Sequence, residues 1–418
     1  MIFRTELLKN NIIKKGSLLI LIIQLLFGVL ASIKGDVNSY FTTFLVSFVA
    51  CELVLLYGIS QGANQRVIWS VITLLNIGIC IQNILGQTSS EKTAGIMFVS
   101  LVITVCYAFF DKNYLVDKKF AMYFMSGLGI IASLFLIIFG ESINGTKAWL
   151  TLGGISLQMS DVIKLTFIYF IALLYSSDFD ESTKFKMSSV YLIIISALMV
   201  LMNELGTILV VFSVYITFVI MYIQNKKYKL IVLSCVLAGV FAISIMYLFT
   251  INYSELLENI GLSKVRIIFE KITERISIWI NYDGSKYEDY GYQALKAKQA
   301  ALIGGWFGTS KYTIHIPVAA SDFVFPAILM KLGLVFGLTV IILFFNIYYR
   351  INYAKSMLKV ASITALCFQA FIMIAGSINF FVMTGLGVPF LSSGGTNTLI
   401  TYLLVYNILS RSDMTYEK

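Results

Sequence analysis

Twelve long apolar runs dominate this chain, at 17–33, 41–59, 67–85, 94–110, 121–139, 162–176, 189–203, 206–224, 230–250, 323–345, 360–379 and 398–410. A helix needs about 20 apolar residues to cross the hydrocarbon core of a bilayer. Inside that core each backbone N–H and C=O must be satisfied within the segment itself. The chain is therefore read as an all-α, polytopic helix bundle with about 12 transmembrane helices. The runs at 162–176 and 189–203 are short, and the run at 67–85 carries Asn76, Gln82 and Asn83. Composition agrees, with 58% hydrophobic and 13% charged residues, where a soluble domain has about 25% charged. That excludes an ordinary soluble enzyme, a disordered chain and a nucleic-acid-binding domain.

The 31 Lys and Arg residues set the orientation. With both termini cytoplasmic, eighteen fall on the cytoplasmic side and three in the short outer loops, as the positive-inside rule requires. The long loop 251–321 then lies outside and holds eight more, while Lys164 and Lys331 fall within spans. The net charge of +9 is mostly this topology signal, and the first run is read as a retained anchor rather than a cleaved signal. Five cysteines sit singly in apolar runs, with no CxxC pair, and are expected to fill gaps between helices. A single histidine, His315, removes His-based metal clusters and most His-centred triads.

Polar groups are costly at membrane depth, about 2.5–3.5 kcal/mol for a central Asp, Lys or Arg, so their placement is informative. Asp161, Lys164, Glu204 and Asp322 fall near the outer ends of their spans, as do the short segment Asn203–Thr207 and three longer glycine-bearing segments. The first, GTKAWLTLGGISLQMSD at 145–161, carries Lys147, Trp149 and a Gly153-Gly154 turn, with Asp161 and Lys164 on one helical face. It reads as an interfacial re-entrant loop with an ion pair or as part of a site. The second runs from an alanine-rich helical stretch with Lys296 and Lys298 through Gly304-Gly305 and Gly308 to Asp322. Asp322 is either a helix cap or a general base facing a phosphorylated lipid held by lysines. The third, GLGVPFLSSGGTN at 385–397, offers the hydroxyls and N–H groups of Ser392 to Thr396, with Gly394 and Gly395, to an anion; the alternative is a plain break between two spans. Upstream, 262–280 is amphipathic at helical spacing, with Ile272, Ile276 and Trp279 set against Glu270, Glu274 and Arg275, as for a helix in the membrane interface.

These segments together resemble the SEDS family (shape, elongation, division and sporulation) of membrane peptidoglycan polymerases, over about two-thirds of the chain from Gly145. The matching residues are Lys147-Ala148-Trp149, Leu152-Gly153-Gly154, Gln158 to Asp161 and Lys164; Asn203-Glu204-Leu205-Gly206-Thr207; Arg275, Ile276 and Trp279; Gly291-Tyr292-Gln293; Gly304, Gly305 and Gly308; Ile316 to Phe325; and Pro389-Phe390, Ser392 and Gly394-Gly395. The resemblance implies an integral-membrane glycosyltransferase of the bacterial plasma (inner) membrane that polymerises lipid II. Asp322 aligns with the family's essential aspartate and would activate the acceptor hydroxyl. Lys147, Trp149, Asp161, Lys164, Glu204, Lys296, Lys298, Ser392, Gly394 and Gly395 would bind substrate. A class B penicillin-binding protein, a transpeptidase, would be the partner, and lysines or a divalent cation such as Mg or Mn would offset the leaving pyrophosphate.

Several positions depart from the family pattern. Five spans in 1–140 precede the Trp149 loop where many members have three, so two look extra to a catalytic core at 141–418. Met159 stands for a Pro, Asp161 for a Glu, Asn203-Glu204 for Pro-Asp, and Met330-Lys331 for a Glu pair. Lys331, nine residues beyond Asp322 and about 13 Å deeper on a continuous helix, should find a carboxylate partner, with Glu204 and Glu52 the candidates. Three rival readings use the same residues: a lipid-linked precursor flippase or transporter, an O-antigen-type ligase or polymerase, and a catalytically silent scaffold. A flippase should show inverted repeats; none is visible, and polarity gathers on one side.

Overall fold

The structure, a computed structural model, describes residues 2–34, 37–114, 118–143, 146–152, 155–259, 263–281, 290–309 and 313–411. In chain order the helices are α1 (Ile2–Lys34), α2 (Val37–Ser60), α3 (Gln65–Leu85), α4 (Ser90–Tyr114) and α5 (Lys118–Phe139). A small antiparallel sheet follows, with β1 (Glu141–Ile143), β2 (Thr146–Leu152) and β3 (Ile155–Gln158) in that order. Then come α6 (Met159–Tyr175), α7 (Glu181–Leu201), α8 (Leu205–Tyr222), α9 (Lys226–Asn259), α10 (Ser263–Asn281), α11 (Tyr290–Ile303), α12 (Val324–Leu332), α13 (Leu334–Tyr348), α14 (Met357–Ser377) and α15 (Gly395–Leu409).

Among the described residues ten helices are long and apolar enough to cross a membrane. The helices α6 and α15 are shorter, at 17 and 15 residues, and are buried along most of their length. They sit with α3 and α14 inside the bundle, where an all-apolar surface belongs. Outer helices turn large side chains outward instead: Phe41 is 79% exposed and Phe241 68%. Apolar surface on that scale suits lipid contact rather than water. Helix ends are set by local chemistry. Asn64 accepts the Arg66 N–H to cap α3, and Gly86 ends it in the left-handed region, donating to the Gln82 carbonyl.

The polar residues of α3 are explained by its position. Asn83 donates to the Thr43 hydroxyl (3.0 Å) and Asn76 to Cys51 Sγ (3.4 Å), both on α2. Gln24 on α1 donates to Ser47 on α2 (2.9 Å). The first three helices are thus stitched together by side-chain hydrogen bonds inside an apolar layer, where the lack of water makes an unmade bond expensive.

Four expectations are corrected. The expected span 323–345 is two helices, because Gly333 (φ 89°) breaks it between α12 and α13. Lys331 therefore ends a short helix and is not deep in a long one; its carbonyl accepts from Lys34 at the end of α1 (2.6 Å). Among the described residues no carboxylate pairs with its ammonium: Glu204 binds Thr207 and Glu52 accepts from Ser17. The segment 141–158 is a three-stranded sheet, with Trp149 opposite Gln158, rather than an irregular re-entrant loop; the expected turn at Gly153-Gly154 lies outside the described residues. Cys51, Cys80 and Cys367 are buried gap-fillers, but Cys106 and Cys235 are exposed.

Glycine matters at one close approach. A Cβ on Gly78, halfway along α3, would overlap the backbone carbonyl of Phe390. Gly78→Ala is expected to push the 385–394 segment off α3 and cost about 1–3 kcal/mol, the usual range for overpacking. Thermal unfolding of the purified protein measures this, and an unchanged midpoint would contradict the packing described.

Candidate functional site

Asp322 stands in the turn 317–323 that leads into α12, outside the spanning helices, and is half-buried. This turn is fastened from two directions. From α3 and the residues after it, Gln82 donates to the carbonyls of Ala320 (2.8 Å) and Leu391 (2.7 Å). Gln87 accepts the Ala320 N–H (2.9 Å) and donates to the Ile316 carbonyl (3.3 Å). From the 385–394 segment, the Ser392 hydroxyl donates to the Ser321 carbonyl (2.7 Å) and accepts the Val388 N–H (2.7 Å). The Ser393 N–H donates to the Ala320 carbonyl (2.9 Å). Each loop thus supplies partners for backbone groups that the other cannot satisfy by itself.

Two non-glycine residues in these loops have positive φ: Val318 at 54° and Phe390 at 67°. A β-branched or bulky residue there is strained, and such strain persists only where the surroundings over-determine the backbone. The hydrogen bonds just described do so.

A cation lies near the carboxylate. An added Cβ on Gly385, itself at φ 75°, would sit 3.8 Å from Asp322 Oδ2 and 3.7 Å from Arg275 Nη2. Arg275 comes from α10 and also donates to the Thr384 carbonyl (3.2 Å). Loss of water around the Asp322 carboxyl pushes its pKa up to about 6, against the opposing pull of the Ser321 hydroxyl and the Arg275 charge. Asp322 is therefore ionised at neutral pH and a stronger base than an ordinary carboxylate.

Behind this surface lies a buried network. Lys164 pairs with Asp161 (2.7 Å) and donates to Gln369 Oε1 on α14 (2.6 Å). Gln369 in turn donates to the Gly387 carbonyl (2.7 Å) and to Asn397 Oδ1 on α15 (3.1 Å). Asp161 and Lys164 are 2% and 1% exposed, so they brace the 385–394 segment from inside.

The other residues singled out from sequence are placed as follows. Lys147 donates to the Ile137 carbonyl (2.6 Å) at the end of α5, where a cation suits the helix dipole. Trp149 is half-buried on β2. Glu204 is buried and caps α8 through Thr207. Lys296 lies over the Tyr292 ring (5.4 Å), and Lys298 is exposed. Ser392 reaches the Asp322 turn, as above. Gly394 and Gly395 open α15 with ordinary backbone angles, and a Cβ on either meets only van der Waals neighbours. Of the hydroxyls expected to bind an anion there, Ser392 donates to the Ser321 carbonyl as above, and Thr396 accepts the Gln158 N–H (2.9 Å). Among the described residues no three His, Cys, Asp or Glu side chains gather that could hold a divalent cation. The residues that sequence reasoning left out of the site are Gln82, Gln87, Gln369, Gly385 and Arg275. Arg275 had a signal, in the family pattern. The three glutamines had only their cost in an apolar environment.

Beside the loops, α2, α3, α4 and α15 line a half-open apolar cavity of about 470 Å³. Its walls include Leu75, Phe390 and Tyr402, which also line a smaller pocket reaching Ser392 and Ser393.

Residues 67–417 match the FtsW/RodA/SpoVE family, described as cell cycle protein. The chain is 25% identical over 331 residues to a probable peptidoglycan glycosyltransferase FtsW of Borreliella burgdorferi, covering 74% of this chain and 82% of that protein. It is also 25% identical over 290 residues to peptidoglycan glycosyltransferase RodA of Mycobacterium tuberculosis, covering 63% of this chain and 56% of the other. In fold it is similar to a chain from a solved structure described as structural coordination of polymerization and crosslinking by a peptidoglycan synthase complex. That match has a TM-score of 0.61 at 17% identity and covers 83% of this chain and 96% of the other.

The buried network yields a stability prediction. Lys164→Met leaves Asp161 charged and unpaired, which should cost about 3–5 kcal/mol. The double variant Asp161→Leu with Lys164→Met removes both charges and should recover much of that loss. Unfolding midpoints of the three proteins decide it, and equal losses in the single and double variants would contradict the pairing.

Proposed function

The chain belongs to the FtsW/RodA/SpoVE family of cell cycle proteins, and from that premise we propose that it is a multi-pass membrane peptidoglycan glycosyltransferase with Asp322 as its general base. The observation that carries the assignment of roles is the Asp322 turn: a carboxylate of raised pKa, held on a doubly fastened loop, opposite Arg275. The substrate is lipid II, a disaccharide-pentapeptide on an undecaprenyl pyrophosphate. Asp322 accepts the proton of the acceptor GlcNAc 4-hydroxyl as that oxygen attacks the anomeric carbon of the growing chain. The bond to the pyrophosphate breaks, and the undecaprenyl pyrophosphate leaves with the electron pair. In this reading Arg275, near the Asp322 carboxyl, offsets the charge that develops on the leaving group. The apolar cavity beside Phe390 supports a substrate with a long hydrocarbon tail.

The charge pattern along the chain supports a site face turned to the outside of the plasma membrane, with both termini cytoplasmic. A class B penicillin-binding protein, which cross-links new strands, is the proposed partner. The fold match to a chain whose structure is described as coordinating polymerization and crosslinking supports this.

The test is polymerisation of labelled lipid II by the purified protein, alone and with its transpeptidase. Wild type should yield glycan polymer, and Asp322→Ala and Asp322→Asn should lose at least about a hundredfold in rate, the scale of general-base catalysis. The base must be ionised, so the rate should fall about tenfold per pH unit below pH 6 and level off above it. Polymer formed equally by wild type and Asp322→Asn would remove Asp322 from catalysis.

A further inference from the structure

The family match begins at residue 67, so α1 and α2 lie outside it. They are nevertheless built into the machinery around Asp322. Asn83–Thr43 and Asn76–Cys51 tie α2 to α3, Gln24–Ser47 ties α1 to α2, and Gln82 on α3 and Gln87 just beyond it hold the start of the Asp322 turn. The far end of the same unit is held by α1 directly. Lys34, the last residue of α1, donates to the carbonyl of Lys331 (2.6 Å) and to the carbonyl of Phe307 (2.9 Å).

Those two carbonyls mark a tight junction. The Lys331 carbonyl belongs to the last turn of α12, which begins two residues after Asp322. The Phe307 carbonyl belongs to the turn after α11. The Leu334 N–H donates to Gly305 and the Val335 N–H to Trp306, and a Cβ on Gly304, Gly308 or Gly333 would overlap backbone of the facing strand of chain. Helix α12 has only nine residues. Its last carbonyls have no partner within the helix, and a cation at that end is favourable. Lys34 supplies both the donor and the charge, from an element on the far side of the chain in sequence.

We propose that Lys34 is a positioning residue for the polymerisation reaction: it locks the C-terminal end of α12 and so fixes where Asp322, at the other end, points. Without it, the end of α12 keeps its backbone bonds to the turn after α11, among them Thr309 N–H to the Met330 carbonyl (2.8 Å), but loses its tie to α1. This inference rests on the proposed role of Asp322, but its first readout does not need activity.

The experiment uses the full-length protein in lipid nanodiscs as wild type, Lys34→Met and Lys34→Arg. Lys34→Met keeps the apolar stem and loses both hydrogen bonds; Lys34→Arg keeps a charged donor. Hydrogen exchange should be about tenfold faster over 320–333 in Lys34→Met, unchanged in α14, and restored in Lys34→Arg. In the lipid II assay Lys34→Met should lower kcat about tenfold or more with KM within twofold, and Lys34→Arg should recover most of the rate, since small displacements of a catalytic group cost up to about a hundredfold. Unchanged exchange over 320–333 would overturn the proposal, as would faster exchange with kcat unaltered. Loss of protection throughout the bundle in Lys34→Met, with no recovery in Lys34→Arg, would also overturn it by showing a general structural role. If wild type makes no polymer, the enzymatic reading falls while the exchange data still decide whether Lys34 anchors α12.

Discussion

A chain that leaves helical structure inside an apolar layer must find a partner for each N–H and C=O it releases. The site described here depends on that constraint. Two irregular segments, 317–323 and 385–394, meet beside α3 and satisfy one another through Ser392, Ser393 and Ala320. What they cannot supply comes from the side-chain amides of Gln82, Gln87 and Gln369. A buried amide has donors and an acceptor in one group, so a single glutamine can bridge two loops. Gln82 does this by donating to both Ala320 and Leu391. The strained backbone at Val318 and Phe390 is held by the same bonds, and Asp322 inherits its position from them.

A second consequence is electrostatic. The fastening that fixes the turn also withdraws water from the Asp322 carboxyl, which raises its pKa to about 6. The Ser321 hydroxyl and, after it, the nearby Arg275 limit the rise. A general base is most effective when its pKa lies near the working pH, and the balance between burial and these two partners sets that here. Asp161 and Lys164 form the contrasting case. They are equally polar and nearby in sequence to family motifs, but they are paired with each other and sealed from the surface. Their role is to hold Gln369, and through it the second loop.

Much of this could be read from sequence, and for physical reasons. Apolar runs report helices because a bilayer demands length and apolarity together, so all twelve runs contain helix. Asp322 stood out because a carboxylate at the edge of a span is expensive. The same cost argument misled at Lys331, since a break at Gly333 puts that residue at a helix end and not in the middle of a span. At Asp161 and Lys164 the cost is offset by the ion pair that the sequence also offered, and at Glu204 by capping of α8 through Thr207. The sheet at 141–158 was missed because its strands are three to seven residues long, too short for an alternating pattern to show. The glutamine bridges were illegible because their partners are backbone carbonyls 238 and 309 residues away. A carbonyl leaves no mark in a sequence.

The central claim is that the fastened loops tune Asp322 into a base. The most direct test is to titrate its carboxyl by difference infrared spectroscopy, wild type against Asp322→Asn, in the same nanodiscs used for turnover. The account predicts a carboxyl band, absent from the variant, with a midpoint near pH 6 that coincides with the acid limb of the polymerisation rate. A midpoint near 3.8, the ordinary value for an aspartate, or one that does not coincide with that limb, would contradict it.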